Sequence, residues 1–198
     1  MNYFLLRHEY PEGGYIDGDV AFDPPLENYY RVGEPVDVNK RIILVTMDKA
    51  VRKLKVDFFL TTSGAFFASE EFAQLLKLHQ ANLKIVPAET RYASGKPTEK
   101  RYCLVHADYR LPAFDYQQSQ YAGKGLTLQR LERGESPDSF LVKGVQLIVI
   151  DEERAAGQHY FFLKNVALID PIVSNEIMHE IRDRNLNVPL DSIGFGAI

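Results

Sequence analysis

Ser69-Glu70-Glu71-Phe72 opens an apolar-periodic run that closes on Asn82-Leu83-Lys84-Ile85-Val86-Pro87, and Ser174-Asn175-Glu176-Ile177 opens another that closes on Asn185-Leu186-Asn187-Val188-Pro189. Each reads as a Ser N-cap, acid in the first turn, an amphipathic helix, an Asn stop and an extended segment ended by Pro. The Ser hydroxyl accepts one of the N–H groups that a helix start leaves without a partner, and carboxylates suit its positive end. The spacing predicts helices over about 70–80 and 175–184. Phe72, Leu75, Leu76 and either Leu78 or His79 form the first buried stripe; Ile177, Met178 and Ile181 form the second. The repetition fits an internal duplication or independent arrival at one cap and stop, and the flanking sequences do not align.

Short apolar runs surround these helices. Met1–Glu9 lacks a basic start and a small-residue cleavage site, so it reads as a first strand and not a signal peptide. Further strands are predicted at Ile42–Val45, Asp57–Leu60 (a strand or a buried turn), Leu83–Ala88, Lys100–His106, Leu126–Leu128, Gly144–Ile150 and Tyr160–Leu163. Ser94-Gly95-Lys96-Pro97 turns the fourth into the fifth as an antiparallel hairpin. Lys49–Lys55 is a helical turn or a basic connector, and Asp151–Gly157 an acidic connector. Strands outnumber helices and connections are short. The prediction is an α+β fold: a mainly antiparallel sheet with two Ser-capped helices packed on it. It forms a single domain over 1–198, residues 1–40 being a strand plus an irregular acidic segment and 41–198 the body.

At 198 residues, 45% hydrophobic and 25% charged, the chain can bury one substantial core, with or without a looser appendage. Its one cysteine, Cys103, lies in a strand pattern and reads as a buried structural thiol; no disulfide framework is available, which fits a reducing, cytoplasmic compartment. No stretch approaches the roughly 20 apolar residues of a membrane span. His8, His79, His106, His159 and His179 stand singly, none four residues from another, so neither a metal nor a cofactor is called for. Thr61-Thr62-Ser63-Gly64 lacks phosphate-loop spacing and reads as a turn; Gly194-Phe195-Gly196 has no helix to follow it.

Charge is uneven under a net of −4: residues 1–40 hold eight acids and three bases, residues 41–101 eleven bases and six acids. Gly and Pro punctuate residues 9–39 and forbid a long helix or a regular central strand there, while Tyr10, Tyr15, Phe22, Tyr29 and Tyr30 predict that the segment lies across the body. Its acidity disfavours phosphate backbones and favours a basic partner. The bases near Tyr92 and Tyr102 are too dispersed for a nucleic-acid module. His106-Ala107-Asp108 ends a strand, where residues two apart share a face, so a small hydrolase or transferase using His106 and Asp108 is one alternative. A protein-interaction module with an unrelated cytoplasmic partner is another.

Three pieces carry a resemblance: Asp57-Phe58-Phe59-Leu60 leading to Ala68-Ser69-Glu70-Glu71-Phe72 and Leu75-Leu76; Val86-Pro87-Ala88-Glu89 leading to Tyr102-Cys103-Leu104-Val105-His106 and Leu111-Pro112-Ala113-Phe114-Asp115; and Val173-Ser174-Asn175-Glu176-Ile177. From Asp57 onward the chain resembles the bacterial polymorphic-toxin immunity proteins of the family numbered eleven. The acidic first forty residues and the absence of Trp depart from that pattern. The resemblance implies a non-enzymatic antidote that binds a cognate toxin, and it transfers no site residues. Joined to the acidity and the aromatic-rich segment, it points to Asp17, Asp19, Asp23, Glu27, Tyr29 and Tyr30 as lying on or near the surface for a toxin with a basic face. Self-association is compatible with the sequence.

Overall fold

The computed structural model describes residues 2–8, 16–79 and 81–193. The Gly194-Phe195-Gly196 end and the Tyr10 and Tyr15 positions lie outside them.

Six strands form the larger sheet: β2 (Gly18–Asp23), β3 (Ile42–Met47), β4 (Phe58–Leu60), β5 (Phe66–Ser69), β6 (Lys84–Arg91) and β7 (Tyr102–His106). Their order is β2-β3-β6-β7-β5-β4, antiparallel throughout except between β3 and β6. The smaller sheet has β1 (Tyr3–Leu6), β10 (Tyr160–Phe161), β11 (Ile172–Ser174) and β12 (Leu190–Ser192), ordered β10-β11-β1-β12 and all antiparallel. A two-stranded ribbon of β8 (Gln120–Tyr121) and β9 (Val145–Leu147) stands apart.

The repeated phrase proves to be one supersecondary unit used twice. β5 runs directly into α1 (Glu70–Leu78), which leads to β6; β11 runs directly into α4 (Asn175–Asp183), which leads to β12. In each unit the two strands flank a third that is antiparallel to both. That third strand is β7 in one, from farther along the chain, and β1 in the other, from its beginning. The different origin of the central strand explains why the sequences around the phrase do not align.

Both caps form as expected: Ser69 Oγ accepts from Phe72 N (3.3 Å) and Ser174 Oγ from Ile177 N (3.4 Å). The Asn stop holds in one copy only. Asn185 takes the left-handed conformation (φ 52°), with Leu186 N donating to Ile181 O at 2.9 Å. In α1 the equivalent bond is Ala81 N to Leu76 O (3.1 Å), so Asn82 lies beyond the stop.

Layers follow from strand alternation. Phe66, Ala68, Cys103 and Val105 face a core shared with the stripes of α1 and α4 and with Leu6 and Val173 of the smaller sheet. Phe59, Phe67, Tyr102 and Leu104 face a second core closed by Tyr30, Val38 and Leu54. Tyr3, Leu5 and Ile172 face a third, closed by residues between Ala113 and Val166. Strands sandwiched in this way are apolar on both faces, which is why β4, β5 and β7 read as unbroken apolar runs. Cys103 is buried, and burial pushes its thiol upward in pKa. Leu78 is 68% exposed, so the α1 stripe ends before it.

Three local expectations are corrected. Leu126-Thr127-Leu128 is helical, within α2 (Lys124–Glu132), a helix with no buried residue; without burial to impose a period, its alternating leucines mimic a strand. The acidic connector contains α3 (Glu152–Ala155), whose N-cap Asp151 accepts from Arg154 N at 3.1 Å. The strand sought over Gly144–Ile150 is confined to β9, with Ile150 in an isolated bridge to Phe114. Residues 49–55 are a connector without helix.

Candidate functional site

Period-2 alternation decides what β2 displays. Val20 and Phe22 pack toward the Tyr30 core, and Asp19, Ala21 and Asp23 are exposed. Gly and Pro do exclude a central strand here: β2 is last in the sheet, and Pro24 follows it. Across the ladder Ala21 is opposite Leu44 and Asp23 opposite Ile42, which is 60% exposed. Leu44 in turn pairs with Glu89. α1 packs on β5 and β7, leaving this half of the face open. The outcome is a small apolar centre with acids on its rim.

Asp17 precedes the strand, its carbonyl accepting from Asp48 N (3.0 Å); Glu27 lies in the loop after it, and both side chains are exposed. Arg41 fixes that loop by donating to the carbonyls of Pro24, Pro25 (2.8 Å) and Asp37 (3.0 Å). Among the described residues none of Asp17, Asp19, Asp23 and Glu27 has a cationic partner. Several acids elsewhere are neutralised, as in Asp57–Lys100 (2.7 Å), Asp138–Lys164 (2.8 Å) and Glu180–Arg184 (2.6 Å). An unneutralised strip beside an apolar patch projects a negative field that its own chain does not quench.

The two neighbouring tyrosines separate. Tyr29 is 67% exposed, its hydroxyl donating to Ser63 O at 3.3 Å. Tyr30 is 4% exposed and stacks on Phe22 with ring centroids 5.7 Å apart, so it supports the strip from beneath and offers a partner no surface. Its buried neighbour is His106, whose Nδ1 lies 2.9 Å from the Tyr30 hydroxyl and whose Nε2 lies 2.9 Å from Glu34 O. A carbonyl can only accept, which assigns the proton to Nε2 and leaves Nδ1 to accept from Tyr30. Burial pushes the His106 pKa below 6.5 and the Tyr30 phenol upward, the latter aided by the Asp108 charge.

More bonds fasten the same segment. Gly33 N donates to Ala107 O (2.7 Å), and Lys84 Nζ donates to Val36 O (2.8 Å) and to Asp108 (2.7 Å). Burial would raise the Asp108 carboxyl, but donation from Lys84 and Val36 N outweighs it and the pKa falls. His106 and Asp108 do converge, Nε2 to Oδ1 being 3.2 Å. The imidazole is fully buried, however, with both nitrogens engaged, while the Asp108 side chain stays partly exposed, and the pair clamps residues 30–36 to the sheet. The pair foreseen from the strand spacing therefore forms, and what its geometry provides is an anchor for residues 30–36. Sequence reading missed Lys84 and Gly33, whose partners are remote in the chain.

Histidines isolated in sequence also meet in space. His79 and His159 have ring centroids 5.0 Å apart, with Glu180 2.7 Å from His79 Nε2. Among the described residues no group of three or more His, Cys, Asp or Glu is disposed to hold a metal ion, and no helix is long and apolar enough to cross a membrane.

Comparison with protein-family models matches residues 9–191 to the immunity protein family (Imm11). The match extends through the acidic segment, beyond the stretch from Asp57 onward that carries the likeness in motif. Comparison with curated proteins finds no match.

Proposed function

Because the chain belongs to the Imm11 immunity protein family, we propose that it acts as a cytoplasmic antidote, binding one cognate bacterial toxin and blocking it by occlusion, without catalysis. The observation that supports the binding surface is the row Asp17, Asp19, Asp23 and Glu27: exposed, without cationic partners among the described residues, and set on or beside an edge strand whose underside is clamped. Leaving several like charges without counter-charges lowers a free protein's stability slightly, and a basic toxin face would remove that strain on docking. Such complementarity raises association rates and fixes register. Ile42, Ala21 and Tyr29 add apolar area between the charges.

The test is co-expression with the toxin domain encoded beside this chain. The reading requires rescue of the poisoned cell and a complex that survives gel filtration. Asp19→Lys combined with Asp23→Lys should abolish rescue while leaving the thermal midpoint unchanged. Full rescue by a folded double variant would remove the acidic strip from the interface, and absence of any complex would remove the antidote role.

A further inference from the structure

Behind Tyr29 the surface folds into a cleft of 490 Å³ between the β4–β5 turn and the segment that the clamp holds. Its wall carries Arg110, and the surroundings of that side chain are unusual. Nη1 reaches the carbonyls of Leu163 and Leu168 only at 3.5 Å, the outer limit for a hydrogen bond. The guanidinium carbon lies 5.5 Å from the ring centroid of Phe162, which is fully buried. Among the described residues Arg110 has no carboxylate within ion-pair distance. The nearby Arg31 and Glu34 pair with each other (3.4 Å), and Asp170, next to the exposed Ile169, is engaged by His8 and by Arg7 at 3.5 Å. Burial lowers the Arg110 pKa, in keeping with a cation shielded from water and given no counter-charge.

The chain makes room for this arrangement. Gly33 has φ 89°, and a Cβ there would fall 2.7 Å from Arg110 Cγ and 2.9 Å from Nε. Glycine therefore serves both the backbone conformation and the closeness of the arginine stem. Tyr29 and Ile169, at 67% and 55% exposure, make an apolar lip. One forked cation behind an apolar lip matches one carboxylate carried next to a hydrophobic side chain, the pairing for which guanidinium geometry is best suited.

We infer that the Arg110 cleft is a second recognition point, which takes an Asp or Glu side chain of the toxin with an apolar neighbour seated against Tyr29 and Ile169. This rests on the antidote reading and deepens it. The acidic strip meets a basic face, and the cleft requires an acid at a set distance from that face, so the pair of opposite-signed points would specify one partner and one register.

Dissociation of the complex with the neighbouring toxin domain tests it, using the full chain. Arg110→Met should weaken affinity about 30-fold or more, chiefly through faster dissociation, since one member of a desolvated pair is lost. Arg110→Lys should recover part of it. Alanine at one toxin carboxylate should cost little more in the Arg110→Met background than that variant costs alone. A folded Arg110→Met protein that binds like the original overturns the cleft, and if Asp19→Lys/Asp23→Lys still weakens binding, the antidote reading stands without it. Should the Met variant not fold, the Arg110 Nε–H signal of the unsubstituted protein decides: it should shift and exchange more slowly in the complex, and an unchanged signal overturns the proposal. A chain that binds no toxin removes both.

Discussion

Tyr29 and Tyr30 are consecutive, chemically identical and opposite in fate. The first belongs to a displayed region, residues 17–29, which is exposed and rich in unpaired carboxylates; the second begins a clamped region, residues 30–36, tied down by His106, Ala107, Asp108 and Lys84. The displayed region contributes little to stability by itself, since its charges have no cationic partners among the described residues. The clamped region satisfies its polar groups with distant ones and thereby holds the display in place. On the proposed reading, recognition and stability are divided between adjacent stretches of a single segment, so substitutions should separate them.

The largest effect should come from breaking the clamp. Tyr30→Ala removes a buried ring stacked on Phe22 and should cost about 3–5 kcal/mol by urea denaturation, whereas Tyr29→Ala should cost less than about 0.5 kcal/mol. Equal costs would erase the distinction. Reversing charge in the display comes next: Asp19→Lys with Asp23→Lys should reduce toxin affinity about 100-fold, equivalent to about 2.7 kcal/mol, with urea midpoint unaltered. Tyr30→Phe sharpens the contrast by keeping the ring and deleting only the hydroxyl bond to His106, at about 1–2 kcal/mol. Ser69→Ala and Ser174→Ala, remote from both regions, should each cost about 1 kcal/mol in a lost helix cap and leave affinity alone.

The last prediction is a slope. His106 has its pKa depressed below 6.5 by burial, so the folded protein binds that proton less readily than the unfolded chain. Its stabilising contribution is therefore fully present above pH 6.5 and is lost as pH falls from there toward the folded-state pKa. Asp108 favours the cation and Lys84 opposes it, with burial prevailing. His106→Gln should flatten the difference in unfolding free energy between pH 7 and pH 5, although it lowers the whole curve. A slope identical to the original protein's would show that His106 does not carry it.

Much of the scaffold is legible in the chain because its signals are local. A Ser cap followed by acid and a helical stripe involves residues within one or two turns of each other, and both such helices form at those positions. Where burial imposes no period the reading fails, as at Leu126–Leu128, whose leucines point into solvent or lie half-buried on α2. The candidate surface is legible in composition alone. Acidity and aromatic content single out residues 17–30, but nothing local distinguishes Tyr29 from Tyr30, because the difference depends on a histidine 76 positions away.

Sequence by itself established the α+β class, the two capped helices, the acidity of the N-terminal segment and the likeness to an immunity family, since each rests on side chains close together in the chain. Tertiary structure alone decided that the two helix phrases enclose strands of different origin, that His106 and Asp108 form a clamp, and that Arg110 lies in a cleft with no counter-charge among the described residues. Those outcomes depend on which distant groups become neighbours when water is excluded. Exclusion of water is what turns a hydrogen bond or an absent partner into a large energetic difference.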